Sequence, residues 1–377
     1  MRILHFLHSH AGQGGELVAH VTTLATAQAK AGHEVGLICI DSGNRQLSTP
    51  LLEKADRSCT PGVIHLPVNT ANIATKLASA LQANIEAVQL AGKLRPQIVH
   101  GHGAQGGRLA CQHHKNMKQL NADIWCVYSP HNTPQNRAFP DNWPLLFPEK
   151  QDWKYTNGII FESEHCKQAY THQNGAPSCP TRVIYEGLSE AAFAPRQIID
   201  MASDFLFVGP FIDLCGAETL VQVLARLKKD YSTGALFVGS GPRENQLRAQ
   251  VDRYGLSHNV FFNASLDPQT AFLKGGCLIL PAKQNSIPMI TLQAGAAGVP
   301  MILANTGSIQ ELVGDVNMPL VAPNDPEYLL KQMIDFLQHP QLFLERATAL
   351  TKRISNQFTL TQMTTETELF YNHLISR

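Results

Sequence analysis

A chain of 377 residues with 44% hydrophobic and 16% charged residues has ample apolar material for buried cores and none of the charge excess of a disordered segment. That length suits two domains of about 150–200 residues each. Thirty Lys and Arg balance thirty Asp and Glu, which argues against a dedicated nucleic-acid binder. No apolar run reaches about 18 residues, so no membrane-spanning helix is expected. The eight cysteines are scattered without a C-x-x-C pair and read as buried thiols of a reducing compartment. The opening MRILHFLHSH reads as a strand rather than a signal peptide, so a cytoplasmic protein is expected.

In chain order, ILHFLH is a strand, and Leu17, Val18, Val21, Leu24 and Ala25 then recur at helical spacing up to a stop at Gly32. Between them, Gly14 and Gly15 allow a ligand to approach the backbone at a helix N-terminus. EVGLICI, GVIHLP, QIVHG, IWCVYS, GIIFES and TRVIYEG follow as strand candidates. Continuous apolar runs, rather than strict alternation, indicate strands of a parallel sheet covered on both faces. Ser189 to Asp204 lacks periodicity and reads as a linker. FLFVG, ALFVG, VFFNAS, CLILP, PMILA and PLVAP then repeat the theme, and Ser355 to Arg377 looks helical. The expected organisation is a domain over 1–188, a linker over 189–203, a second domain over 204–354 and a terminal helix over 355–377 that packs back on the first domain. Two doubly wound α/β domains would then face one another across a cleft, with ligands at the carboxyl ends of the strands.

Within the second half, Gly239 and Gly241 in VGSGP form a tight strand-to-helix turn, read first as a turn and second as a phosphate cradle. Pro281 to Pro300, PAKQNSIPMITLQAGAAGVP, places a polar loop between an apolar strand and a small-residue helix opened by Pro288. Backbone amides near Met289, Ile290 and Thr291 would there meet an anion. Thirteen of the sixteen histidines fall at or before His172, several at strand ends: His8 and His10, His100 and His102, and His131. They lack tight ligand spacing and an obvious carboxylate partner, so sugar hydroxyls or a structural role are preferred to a metal. His20 and His33 are read as structural. His113, His114, Lys115 and Lys118 form a modest basic patch, which a peripheral contact with an anionic inner membrane would use.

The glycine pair followed by H-V-x-x-L-A and G-H-E-V resembles the opening of family 4 glycosyltransferases. IVHGHG, SPHN, VIYEG, VGSGP, the Pro281–Pro300 loop and SIQELV continue the resemblance in order. It implies a GT-B fold of two Rossmann-like domains and retaining transfer from a nucleotide sugar without metal or other cofactor. The acceptor would be a glycan or lipid-linked sugar, in surface polysaccharide or glycolipid synthesis. By the same resemblance, His131 contacts the donor sugar and Gly14 and Gly15 lie near acceptor and phosphate; His131 and Asn285 are the catalytic candidates, and His10 and His102, at strand ends, are assigned to the acceptor side.

The family neutralises its leaving diphosphate with an arginine and a lysine in G-R-x-x-x-x-K-G. This chain has Gly209 in that frame but Pro210 and Cys215 at the charged positions. The two glutamates of the family loop are Asn285 and Gln293, and the family asparagine after the last strand of the first domain is Glu186. Amides keep hydrogen-bonding capacity but not the charge-assisted bonds, worth about 1.5–3 kcal/mol each. Losing one preorganised charge costs roughly 10²–10³ in rate. Lys283 and Arg243 are the candidate substitute cations. An alternative is a catalytically silent relative that binds a sugar, a nucleotide or a partner.

Overall fold

The computed structural model describes residues 1–9, 14–41, 52–53, 55–59, 61–67, 89–119, 123–131, 155–194, 196, 203–282, 287–323 and 325–377. Two compact units emerge: Met1–Glu186 with Leu360–Arg377, and Gly187–Thr359.

In the first unit, seven described strands make one parallel sheet: β1 (Arg2–Ser9), β2 (Glu34–Asp41), β3 (Pro61–Pro67), β4 (Ile98–His102), β5 (Trp125–Ser129), β6 (Gly158–Phe161) and β7 (Thr181–Val183). Their order is β3-β2-β1-β4-β5-β6-β7, so the winding reverses between β1 and β4. Ligands of doubly wound sheets bind at such a switch point, at the carboxyl ends of the strands. The apolar runs make continuous cores: Leu4, Phe6, Ile38 and Val99 pack with Ala110 and Cys126, while Ile3, Ile98 and Val127 pack with Phe370, Tyr371 and Leu374 of the last helix, Leu360–Ile375. Close approach explains the glycines of Gly103–Gln119, since a Cβ on Gly106 would stand 2.5 Å from the Phe6 carbonyl oxygen.

The second unit repeats the design with six described parallel strands: β8 (Ser203–Val208), β9 (Ala235–Val238), β10 (Val260–Asn263), β11 (Gly275–Leu280), β12 (Met301–Ala304) and β13 (Leu320–Val321). The order β10-β9-β8-β11-β12-β13 places the reversal between β8 and β11. Phe207 stacks on Phe237 with ring centroids 5.4 Å apart, and buried Phe211 meets Phe262 edge to face. Within the stretch read as a linker, Glu190–Phe193 forms a 3-10 turn, and Arg196 donates to the carbonyls of Phe272, Gly275 and Gly276.

Seven of the eight cysteines are buried and none is in a disulfide. Among the described residues, no helix is long and apolar enough to cross a membrane. The basic patch read from the sequence is corrected. His113 and His114 are buried, and burial lowers both imidazoles, His113 to about 4, so neither carries charge at neutral pH. Lys115 and Lys118 instead lie over the rings of Tyr155 and Trp125.

Candidate functional site

In the second unit the candidate donor site is built from the loops after β8, β9 and β11. After β8, the Gly209 N–H donates to Val238 O and the Phe211 N–H to Ser240 O, while Phe211 O accepts from the Arg243 N–H. Burial of the Phe211 ring anchors this loop. Gly239, at φ +140°, sits so close that a Cβ there would enter the Gly209 carbonyl oxygen. Packing of two loops thus accounts for VGSGP as a turn. Gly216, at φ +75°, lies against Pro281, with 2.5 Å left between a would-be Cβ and the Pro281 oxygen. The Gly209–Gly216 loop and the Pro281 loop therefore meet, as two walls of one pocket must.

Those walls carry little charge. Pro210 is exposed and Cys215 is buried in a 3-10 turn. Arg243, one candidate substitute cation, is committed to an ion pair with Asp213, with Glu218 3.7 Å away. Asn285 and Lys283 lie outside the described residues. The helix Met289–Ala296 opens without a side-chain cap. The Thr291 N–H donates to Pro288 O, which removes it from the expected anion cradle and leaves the opening amides of Met289 and Ile290. What Thr291 contributes is its hydroxyl. Thr291 Oγ1 and Thr306 Oγ1 are both buried without a partner among the described residues and line one cavity of about 10 Å³ with Pro288, Ala282 and Ile309. Buried hydroxyls ordinarily find partners, and a space of this size takes at most one water-sized polar atom. Gln293 lies half-buried one turn from the helix start.

The first unit holds a polar cluster of its own. Side chains two apart on a strand share a face. His100 and His102 therefore point the same way, beside His5 and Ser129 through the pairings His5↔His100 and His102↔Ser129. Against this face the first helix, Gly14–Lys30, lays His20, Leu24 and Gln28, spaced i, i+4 and i+8. The last helix lays Met363, Thr367 and Tyr371 at the same spacing. The result is a buried hydrogen-bonded chain: Gln28 Oε1 to His5 Nε2 at 2.8 Å, His5 Nδ1 to His102 Nε2 at 2.9 Å, and His102 Nδ1 to His131 Nε2 at 3.0 Å. His100 is held separately by the Tyr371 hydroxyl (2.6 Å) and Ser129 Oγ (2.8 Å).

Two carboxylates close this network. His20 Nδ1 lies 2.5 Å from Glu186 Oε2, and His131 Nδ1 lies 3.7 Å from Glu162 Oε2. A cavity of about 20 Å³, room for one water, is lined by His20, His131, Glu162 and Glu186. Burial opposes charge on His20, but attraction and hydrogen bonding to Glu186 outweigh it and raise its pKa. At His131 burial wins over Glu162 and lowers the pKa. Burial, with mutual repulsion, holds His100 and His102 well down, and burial lowers His5 to about 4. His131 is also held at φ +48°, one of two non-glycine residues at positive φ among those described. That conformation costs about 1–2 kcal/mol and clusters at functional sites.

Several sequence expectations change here. His102, expected at an acceptor surface, is buried with both ring nitrogens engaged. His20, read as structural, is central to the cluster. The carboxylate partners thought missing are Glu162 and Glu186. Gly14 opens the first helix and Gly15 faces open space, whereas His10 lies outside the described residues. The H-x-H spacing on β4 and the His20–Gln28 spacing were the signals for the cluster. The contribution of Tyr371, 271 residues from His100, left no local signal.

Comparison with known proteins fits this arrangement. The family model described as Glycosyltransferase Family 4 matches residues 17–191, and that described as Glycosyl transferases group 1 matches residues 189–357. The chain belongs to the family 4 (group 1) glycosyltransferases, and its two α/β units have the GT-B fold. An uncharacterized glycosyltransferase of Methanocaldococcus jannaschii is 23% identical over 45% of this chain and 48% of its own. Glycogen synthase of Mycobacterium tuberculosis is 26% identical over 57% of this chain and 54% of its own. The chain thus spans about half the length of these curated relatives. Among solved structures, sucrose-phosphate synthase of Thermosynechococcus elongatus has a TM-score of 0.76 at 18% identity, covering 99% of this chain and 98% of that one. Anabaena HepE, solved in complex with UDP, has a TM-score of 0.73 at 15% identity, covering 99% and 100%.

Proposed function

We propose that the protein transfers a sugar from a nucleotide sugar to a glycan or lipid-linked acceptor, with retention at the anomeric carbon, in the synthesis of a surface polysaccharide or glycolipid. The observation that carries this is the pair of unpartnered hydroxyls, Thr291 and Thr306, beside the uncapped helix at Pro288. A donor supplies the polar atoms they lack, and its diphosphate meets the Met289 and Ile290 amides. Structural relatives bound to UDP and to UDP-glucose support the ligand class. In the transfer, the acceptor hydroxyl forms the new bond to the anomeric carbon as the bond to the diphosphate breaks, and its proton passes to the departing phosphate. No metal enters that step in this reading. Eight cysteines outside any disulfide support a cytoplasmic setting. Peripheral membrane association would come through a lipid-linked acceptor, since only Lys115 and Lys118 of the His113–Lys118 patch carry charge.

A second reading, a silent relative that binds ligand or partner without turnover, is favoured by one specific observation. The loop that should carry two leaving-group cations has exposed Pro210 and buried Cys215, and Arg243 beside it is neutralised by Asp213. Titration calorimetry with UDP, GDP and their sugar conjugates tests both. No binding at millimolar concentrations defeats the first reading. Binding with neither donor hydrolysis nor transfer selects the second.

A further inference from the structure

The histidine cluster of the first unit is richer than contact with one sugar requires. Two trios of imidazoles each bring one ligand atom per residue within 4.8 Å of the others: His5, His100 and His102, and His20, His102 and His131. Hydrogen bonding decides between them. Both nitrogens of His100 are already held, by Tyr371 and Ser129, so the first trio has only two nitrogens to give. In the second trio every ring is gripped from outside. Glu186 holds His20 Nδ1, His5 holds His102 Nε2, and Glu162 faces His131 Nδ1. By elimination His20 Nε2 is the nitrogen left for the trio, beside His102 Nδ1 and His131 Nε2, which face one another. Carboxylate or carbonyl-linked partners on the outer nitrogen are how metal-binding histidines are oriented.

We infer that these three nitrogens hold a divalent transition-metal ion of the zinc class. The spacing fits: tetrahedral bonds of about 2.0–2.1 Å separate two ligand nitrogens by roughly 3.3 Å, and His102 Nδ1 and His131 Nε2 stand 3.0 Å apart. Tautomer logic points the same way. With Gln28 Oε1 accepting from His5 Nε2–H, His5 Nδ1 must accept from His102 Nε2–H, which leaves His102 Nδ1 a bare lone pair. If His131 donates to it from Nε2, a neutral His131 then turns a second bare lone pair toward the Glu162 carboxylate. A metal ion between the two rings removes that conflict, because His131 then carries its proton on Nδ1 and donates it to Glu162.

Charge and space agree as well. Glu162 and Glu186 lie just outside three imidazoles, and Glu186 Oε1 is buried without a partner among the described residues. The adjacent cavity has room for one water as a fourth ligand. Three imidazoles suit zinc and its neighbours better than magnesium or calcium, which prefer oxygen. The site departs from the metal-free chemistry that family resemblance implies, and it stands independently of donor binding in the second unit.

The test uses the full chain, stripped with a chelator, checked for folding by circular dichroism, and titrated with Zn²⁺ and with Co²⁺ at pH 7.5. One equivalent should bind, with Co²⁺ developing the visible absorption of a tetrahedral nitrogen-rich site. Glu186→Gln should weaken Zn²⁺ binding by about 10–100-fold. His20→Gln and His131→Asn, both at partly exposed positions, should weaken it further, whereas His258→Gln in the other unit should not. A folded wild-type chain that takes up neither ion, or uptake unchanged by His20→Gln and His131→Asn, overturns the inference.

Discussion

The two units share a winding rule and differ in what they place at its switch point. At the β1/β4 reversal the first unit gathers imidazoles and two carboxylates around a buried chain of hydrogen bonds. At the β8/β11 reversal the second unit offers glycines, a proline, a thiol and two unpartnered hydroxyls. One fold has therefore concentrated titratable chemistry on one side and stripped it from the other. The difference teaches that topology fixes where a site lies, while the side chains placed there decide its chemistry.

The comparison breaks most sharply at Gly239. Its positive φ and its contact with the Gly209 carbonyl leave no room for a methyl group. Gly239→Ala should cost at least about 3 kcal/mol and abolish nucleotide binding, as measured by urea unfolding and calorimetry, since it combines overpacking with a strained backbone. The first unit's metal-binding nitrogens should be unaffected if the units fold separately.

Acid should act mainly through the histidine-rich unit. In the unfolded chain the imidazoles titrate near 6.5, whereas His5 and His113 stay neutral in the fold down to about 4. Unfolding therefore takes up protons below 6.5, and stability falls as the pH drops from there toward 4. The slope approaches about 1.4 kcal/mol per pH unit for each such group. Denaturant melts from pH 7.5 to pH 4.5 check this, and a flat profile would show that the cluster is not neutral when folded.

Restoring charge should make the second unit more like its relatives. The pair Pro210→Arg with Cys215→Lys should tighten UDP binding by roughly 10–100-fold, the equivalent of one charge-assisted bond at about 1.5–3 kcal/mol. Unchanged affinity would mean that this loop does not face the diphosphate. The smallest effect belongs to Thr291→Val. Removing an unpartnered buried hydroxyl should raise ligand-free stability by about 1 kcal/mol while weakening donor binding several-fold. Loss of stability instead would show that the hydroxyl already has a partner within the fold.

Residue pattern alone located all thirteen described strands, because parallel strands buried on both faces read as continuous apolar runs. It also marked the Pro281–Pro300 loop, a local feature of spacing and residue type, whereas the missing cations at Pro210 and Cys215 showed only through the family resemblance. The histidine cluster was only half legible. His100 and His102 announced a shared strand face, but Glu162, Glu186 and Tyr371 join them through register and helix packing across as many as 271 residues. The chain's own order of residues thus determined the family frame and the loss of charge in its second half. Tertiary structure alone decided which nitrogens meet, which carboxylates hold them and which hydroxyls are left waiting, because those depend on faces brought together in space and not on neighbours along the chain.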